Sequence, residues 1–339
     1  MKKKTGIVVG VLAVLAVLAV GVFMFTKEAK QAVVEITPIS ATMKQGEEIP
    51  KEIEVKVTGE EEIVLDRKTE YTVGKFVKEL KEGKNYQISV DTDGRTKGEF
   101  PVKVKLSDEI KKELEGNWSK SLTVELKEGS LKVERGIMKD RPMIALTFDD
   151  GPGPNTGKIL DVLEQYDERA TFFMLGNSAS AYPETVKRIY ETGNEIANHS
   201  TTHADLSKSS LEKIRWEIDT ASGTIESACG QSPVLLRPPY GAVSPDLRAN
   251  AGMPLIMWSI DTLDWKTRDT QNTIEVVMKE KQDGAIVLMH DIHDPSVEAA
   301  VQLIPKLLEE GYQLVTISEL AEAKGIPLEN GVKYFNFSE

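Results

Sequence analysis

The chain of 339 residues has few of the residues that mark several common classes of protein. Its single cysteine, Cys229, cannot form an intrachain disulfide, and we interpret it as a small buried residue. Positive charge is also scarce. The formal net charge is −12, whereas a nucleic-acid-binding protein needs a basic surface. We therefore expect no nucleic-acid partner, and the acidic balance fits a secreted or surface protein.

Charged residues are missing altogether from residues 5–26, near the N-terminus. About 20 apolar residues in a helix cross roughly 30 Å of hydrocarbon. The lysines at 2–4 outweigh the mixed charges at 27–30, which predicts a cytoplasmic N-terminus and an extracellular location for the rest of the chain. A cleaved signal peptide is the alternative, but its apolar core is shorter and ends in small residues, whereas this run ends in Phe-Met-Phe at 23–25. We favour an uncleaved single-pass membrane anchor within residues 1–30.

Histidine does not occur in residues 31–138, and no catalytic set of residues is visible there. Segments such as EIEVKVTG and FPVKVKL alternate apolar and charged residues with period two, and turns such as DTDGR separate them. The pattern predicts a β-rich region of one or two small antiparallel sandwich-like units, with residues 75–83 as a short connection rather than a helix. A spacer or binding region and an inert stalk are both compatible with this pattern.

Strands and helices alternate in residues 139–325, and residues 326–339 form a C-terminal tail in this interpretation. RPMIALTF, ATFFML and AIVLMHD are strand candidates, and helical patterns follow most of the seven strand candidates. Such alternation predicts an α/β domain with a parallel sheet, either open or closed. Function gathers on loops at the carboxyl ends of the strands in a parallel barrel.

Polar motifs follow the strand ends in this half of the chain, which also contains all four histidines: His199, His203, His290 and His293. The first two are four residues apart, and on a helical turn this spacing places both imidazoles on one face, suited to one metal ion. Two unrelated loop histidines would give the same spacing, so the pair alone is a weak signal. Asp149 or Asp150 can supply a carboxylate as third ligand, and two histidines with one carboxylate are typical of catalytic metal sites.

The remaining aspartate of the pair is then placed to act as a general base toward water. Arg237 offers the positive charge that would hold this base ionised and oriented. His290 is a candidate general acid, and Asp264 as its partner would raise its pKa and keep it protonated at neutral pH. A base, an acid and a metal ion arranged in this way favour hydrolysis of an acyl group.

The five motifs together resemble, in order and spacing, those of the carbohydrate esterase family 4 polysaccharide deacetylases, or NodB homology domain: TFDDGP at 147–152, NHSTTH at 198–203, RPPYG at 237–241, DTLDW at 261–265 and LMHD at 288–291. The resemblance covers about residues 141–323 and does not reach the N-terminal half. It implies a distorted (β/α)7 barrel that binds a divalent metal ion, most often zinc and sometimes cobalt. The sequence is similar in these motifs to peptidoglycan N-acetylglucosamine deacetylases.

The resemblance also implies a role for each matching residue: Asp149 as catalytic base, Asp150, His199 and His203 as metal ligands, Arg237 as the residue that holds the base, Tyr240 as donor of a backbone N–H to the oxyanion, Asp264 as partner of the catalytic acid His290, and Trp265 and Leu288 as walls of the acetyl pocket. None of the five motifs departs from the family at a residue that carries chemistry.

The function that follows is removal of acetyl groups from N-acetylglucosamine in a cell-wall polysaccharide, with peptidoglycan as the expected substrate because the anchor would hold the enzyme beneath the wall. A chitooligosaccharide, an exopolysaccharide or acetyl-xylan remains an alternative substrate. A non-catalytic glycan-binding surface protein is the alternative of a different class, and the intact motifs weigh against it.

Overall fold

The structure is a computed structural model that describes residues 31–51 and 53–338. The predicted membrane anchor within residues 1–30 lies outside these described residues. Within them, no helix has both the length and the apolar composition that a membrane span requires. The chain divides into two compact units, and the boundary falls between Glu134 and Arg135.

The N-terminal unit is rich in short strands. Its elements are β1 (Ala32–Pro38), β2 (Ala41–Lys44), β3 (Val55–Gly59), β4 (Val64–Asp66), β5 (Tyr71–Thr72), α1 (Val73–Glu79), β6 (Tyr86–Val90), β7 (Gly98–Leu106), α2 (Asp108–Glu115), β8 (Leu122–Leu126) and β9 (Gly129–Glu134). One sheet has the order β3-β1-β8, another has the order β2-β9-β7-β6, and β4 pairs with β5. The β-rich character predicted for this region is confirmed.

Two details of this unit differ from the prediction. Strand β1 pairs parallel to β8, and β2 pairs parallel to β9, so the unit is not purely antiparallel. Period-two alternation identifies a strand but contains no information about its partner. The segment 75–83 is not simply a connection, because it includes most of α1, whose N-cap Thr72 accepts a hydrogen bond from the Lys75 N–H and whose Phe76 is buried.

The C-terminal unit alternates strands and helices. Its elements are β10 (Met143–Asp149), α3 (Thr156–Tyr166), β11 (Thr171–Met174), α4 (Gly176–Ala181), α5 (Pro183–Glu191), β12 (Glu195–Asn198), α6 (Leu211–Cys229), α7 (Pro245–Asn250), β13 (Leu255–Ile256), β14 (Ile260–Asp261), α8 (Asp264–Thr267), α9 (Thr270–Glu280), β15 (Ala285–His290), α10 (Asp294–Glu309), β16 (Gln313–Leu314), α11 (Ile317–Ala323) and β17 (Lys333–Tyr334), with 3-10 turns at Leu206–Lys208 and Pro239–Gly241.

A parallel sheet of order β12-β11-β10-β15-β14 forms the centre of this unit, and β16 pairs with the first residues of β10. Isolated parallel bridges from Asn198 to Leu236 and from Leu236 to Leu255 extend the sheet beyond β12 toward β13. The α/β class and the parallel sheet are therefore confirmed. In the described part of the chain no ladder joins β13 to β14, so full closure into a seven-stranded barrel stays a prediction.

Strand β10 shows how the sheet positions the site. Leu146 and Phe148 belong to the core cluster that includes residues of α3 and α10, whereas Ala145 belongs to a second cluster on the opposite face. Because side chains alternate along a strand, Thr147 and Asp149 lie on the same face as Ala145. The carboxylate of Asp149 therefore lies on the face of the sheet opposite α3 and α10.

The C-terminal residues 326–339, which the sequence sets apart as a tail, include a strand of this unit. Strand β17 pairs in parallel with β13. Phe337 is buried, and its N–H donates a hydrogen bond of 2.8 Å to the Gly284 carbonyl oxygen. This segment thus contributes to the core beside the sheet.

Candidate active site

The carboxyl ends of the strands surround an open cleft of about 390 Å³. The parallel register places Asp149 at the end of β10 directly beside His290 at the end of β15. The cleft is lined by Asp149, Asp150, His199, His203, Pro238, Tyr240, Trp258, Asp261, Trp265, Leu288 and His290. Residues from all five sequence motifs therefore meet in one place.

Asp150, His199 and His203, here called the metal cluster, come together as the motifs predict. Asp150 Oδ1 lies 3.5 Å from His199 Nε2 and 3.4 Å from His203 Nε2, and the potential ligand atoms all lie within 4.8 Å of one another. Asp150 Oδ1 is buried without a hydrogen-bond partner among the described residues. The Arg237 carbonyl oxygen, 2.6 Å from His199 Nδ1, accepts the proton of that nitrogen and leaves Nε2 free as a ligand. This set of donors fits a divalent cation such as zinc.

The two histidines do not reach this arrangement through a helix, so the helical interpretation of their spacing is wrong. Residues 199–203, here called the histidine loop, follow β12, and both Ser200 (φ 70°) and His203 (φ 61°) have left-handed backbone conformations. Such a conformation costs a non-glycine residue on the order of 1–3 kcal/mol and persists only where neighbours enforce it. The imidazole centroids lie 5.1 Å apart as a result.

Asp149 and Arg237 form a buried ion pair beside the metal cluster. Their side chains are 4% and 0% exposed, and Arg237 Nη1 lies 2.7 Å from Asp149 Oδ1. The same guanidinium donates to the Thr147 hydroxyl and to the carbonyl oxygens of Ile256 and Met257 at distances of 2.7–3.1 Å. Burial lowers the pKa of Arg237, and the charge of Asp149 opposes that shift. Asp149 is therefore held in place by a guanidinium that is itself fixed on several sides.

Thr147 belongs to the first motif, but no role was predicted for it from the sequence. Its hydroxyl accepts the hydrogen bond from Arg237 and donates one of 2.6 Å to the Val287 carbonyl oxygen on β15. The signal was present in the sequence, because Thr147 stands two positions before Asp149 and a strand presents such residues on one face.

His290 and Asp264 form a second pair in the cleft. His290 Nδ1 lies 2.9 Å from Asp264 Oδ1, and the His290 backbone N–H donates to Oδ2 at 2.8 Å. Burial disfavours the imidazolium, but the hydrogen bond and charge of Asp264 outweigh it and raise the pKa of His290 from 6.5 to about 9. Burial also acts to raise the pKa of Asp264, and the hydrogen bond from His290 reverses the shift, so that this pKa is lowered. The imidazole is therefore protonated at neutral pH.

The residues predicted to contact substrate also line the cleft, and their roles stay predictions. Tyr240 is 68% exposed in the 3-10 turn after Arg237, and its ring centroid lies 4.6 Å from that of His203. Trp265 is 46% exposed at the rim, and Leu288 is 4% exposed at the wall. Trp258 and Asp261 join them, and neither has a role predicted from the sequence.

Asp291 lies next to the metal cluster, against the turn at Gly151. Its carboxyl is buried, accepts a hydrogen bond of 2.5 Å from the Thr156 hydroxyl and leaves Oδ1 without a partner among the described residues. Burial raises the pKa of Asp291 to about 7. A Cβ at Gly151 would overlap the Asp291 carboxyl, so only glycine fits after Asp150. Asp291 thus packs against the turn that carries a member of the metal cluster.

Comparison with known proteins gives the class of this site. Residues 137–253 match the family model described as polysaccharide deacetylase. The chain is 36% identical over 197 residues to the peptidoglycan-N-acetylglucosamine deacetylase of Bacillus cereus, and the match covers 56% of this chain and 92% of that protein. The chain therefore belongs to the carbohydrate esterase family 4 polysaccharide deacetylases, as the motifs predict.

Two other relatives differ in the sugar named for them. The chain is 42% identical over 196 residues to the peptidoglycan-N-acetylmuramic acid deacetylase PdaC of Bacillus subtilis. It is 40% identical over 199 residues to the peptidoglycan-N-acetylglucosamine deacetylase PgdA of Listeria monocytogenes. Each match covers 58% of this chain and 42% of the relative, so the chain matches about two fifths of the length of these proteins.

Solved structures agree with the family. The structure of PdaC from Bacillus subtilis is 42% identical, has a TM-score of 0.55, and covers 56% of this chain and 94% of its own. A family 4 acetyl xylan esterase from Clostridium thermocellum, in complex with a cobalt ion, is 31% identical with a TM-score of 0.55 and covers 57% of this chain and 98% of its own.

Proposed function

We propose that the C-terminal unit, a distorted (β/α)7 barrel, hydrolyses the N-acetyl group of N-acetylglucosamine units in peptidoglycan. The observation that carries the proposal is a single cleft with three parts: a metal cluster, a buried carboxylate at its edge, and an imidazolium that follows the neighbouring strand. These are the three groups that metal-assisted hydrolysis of an amide requires.

A divalent cation held by the metal cluster would polarise the acetyl carbonyl group. Asp149, oriented by Arg237, takes a proton from the water that attacks the carbonyl carbon. The backbone N–H of Tyr240 donates to the developing oxyanion. His290, whose Nδ1 is bonded to Asp264, donates a proton from Nε2 to the sugar nitrogen as the C–N bond breaks. The products are acetate and a free amino sugar, with Trp265 and Leu288 enclosing the acetyl methyl group.

Zinc is the expected cation, because two imidazoles and one carboxylate with room for a further ligand are typical of catalytic zinc sites. Cobalt or another divalent ion would suit the same nitrogen and oxygen donors. The cobalt ion named for the acetyl xylan esterase supports that alternative.

The charge of the cleft favours N-acetylglucosamine over N-acetylmuramic acid, the sugar named for the Bacillus subtilis relative. The described lining includes Asp261 but no lysine or arginine side chain. Muramic acid has a lactyl carboxyl that is either free or linked to an acidic peptide, and it would meet Asp261 without a lysine or arginine side chain in the described lining to offset the repulsion. N-acetylglucosamine carries no such charge.

The test is incubation of the protein with purified peptidoglycan, followed by an acetate assay and mass spectrometry of the released muropeptides. We expect acetate, with the loss of an acetyl group on glucosamine and not on muramic acid, and we expect neither with Asp149→Asn. Loss on muramic acid alone would contradict the proposed sugar. Release only from chitooligosaccharide, exopolysaccharide or acetyl-xylan would point to those substrates, and glycan binding without acetate would favour a non-catalytic surface protein.

The proposed location is the cell membrane, with one span within residues 5–26 and the catalytic unit outside. The charge difference across this apolar run supports it. Mass spectrometry of the protein from a membrane fraction tests it: retention of residues 1–30 is expected, and a mature N-terminus after residue 26 would show cleavage instead.

A further inference from the structure

A buried glutamate that no sequence motif includes holds the histidine loop (residues 199–203). Glu217 lies on α6 and is 0% exposed. Its Oε2 accepts the backbone N–H groups of Thr201 and Thr202, both at 2.8 Å. Its Oε1 accepts the Thr202 hydroxyl at 2.5 Å and lies 2.9 Å from Lys213 Nζ. One carboxylate thus satisfies two successive amides of the loop.

The bonds of Glu217 are directed mainly at the loop rather than at its own helix. A buried carboxylate is costly unless it is paired and hydrogen-bonded, and three of its four partners belong to Thr201 and Thr202. Burial acts to raise the pKa of Glu217, but the hydrogen bonds from Thr202 and Lys213 outweigh burial and lower it. The Thr201 hydroxyl adds a bond of 2.7 Å to the Glu217 carbonyl oxygen. The glutamate is therefore charged and anchored to the loop at both its side chain and its backbone.

The loop needs such an anchor because its backbone is strained. Ser200 and His203 are both left-handed, on either side of the two residues that Glu217 holds. At the start of the loop, the Asn198 side-chain amide donates to the Ile218 carbonyl oxygen at 2.9 Å. We infer that Glu217 is a positioning residue that sets the affinity of the metal cluster, by holding the strained loop that presents both imidazoles. This inference rests on the metal site of the proposed function.

The test measures zinc alone, by competition with a chromophoric chelator, on the full chain. Glu217→Ala is expected to weaken zinc binding by about 10- to 100-fold, the usual effect of removing a group that orients a ligand. Glu217→Gln keeps an oxygen that can accept both amides, so its loss should be much smaller. Glu226→Ala, at an exposed glutamate on the same helix, is the matched control and should bind zinc like the wild-type protein.

Urea unfolding of the metal-free variants separates positioning from stability. A Glu217→Ala protein that is less stable but binds zinc with unchanged affinity would overturn the inference. If Glu217→Ala does not fold, Glu217→Asp replaces it, because the shorter side chain withdraws from the amides and keeps its charge. An unchanged zinc affinity of Glu217→Asp would equally overturn the inference. Failure of the wild-type protein to bind zinc would instead refute the metal site itself.

Discussion

Replacement of Arg237 by methionine tests the most buried charge of the site. The Arg237 and Asp149 charges lie 2.7 Å apart, which corresponds to an attraction of roughly 6 kcal/mol at an effective dielectric constant of about 20. Desolvation offsets part of this attraction, and removal of one partner from a buried pair usually costs about 3–5 kcal/mol because the other charge is left uncompensated. We expect Arg237→Met to lower the free energy of unfolding by about that amount.

The assay is urea unfolding at neutral pH with a chelator present, so that no cation replaces the lost guanidinium. Arg237→Met also removes donors to Thr147 and to two carbonyl oxygens, and this loss is common to the single and double variants. Adding Asp149→Asn to Arg237→Met should therefore restore part of the stability, since the unpaired charge is gone. If the double variant loses as much stability as the sum of the losses in the single variants Arg237→Met and Asp149→Asn, the unpaired charge is not the cause of the destabilisation.

An exposed pair of the same length provides the matched control. Arg188 Nη2 lies 2.6 Å from Asp161 Oδ1 and 2.7 Å from Glu164 Oε1, but the three side chains are 38%, 66% and 40% exposed. Arg188→Met should cost no more than about 1 kcal/mol, as is usual for a surface ion pair. Equal losses at Arg188 and Arg237 would show that burial does not control the energy of the pair.

Three further predictions follow from the site. Asp149→Asn should leave zinc affinity nearly unchanged and lower kcat by about 10²- to 10⁴-fold, the usual contribution of a general base; full activity would rule out that role. The acid His290 loses its proton as the pH rises through about 9, so kcat/KM should fall there. Asp264→Asn should move this fall to lower pH, because it removes the charge of Asp264 and weakens its hydrogen bond, the largest contributions that oppose burial. A pH profile unchanged by Asp264→Asn would contradict the pairing. Gly151→Ala should reduce stability by about 1–3 kcal/mol in thermal unfolding, because its Cβ overlaps the Asp291 carboxyl, and an unaffected protein would show that this contact is not tight.

The sequence predicts much of the site because chemistry-bearing residues follow strand ends. In a parallel sheet, the carboxyl ends of neighbouring strands meet at one edge, so Asp149 and His290 are adjacent although 141 positions separate them in the chain. The class of the C-terminal unit follows from the same alternation of strands and helices.

Other features depend on contacts that no local pattern contains. A spacing of four residues suits a helical turn, yet His199 and His203 meet through a strained loop with two left-handed residues. Glu217 looks like one more charged residue on a helix, and only the fold shows that it is buried against two amides. The parallel pairing of β1 with β8 likewise joins residues about 90 positions apart, which alternation cannot indicate.

The most direct test of the central claim is an anomalous difference map from a crystal of the protein soaked in zinc, recorded at the zinc absorption edge. The account predicts one strong peak about 2.0–2.2 Å from Asp150, His199 Nε2 and His203 Nε2. Absence of a peak between these three side chains, with zinc bound elsewhere or not at all, would contradict it.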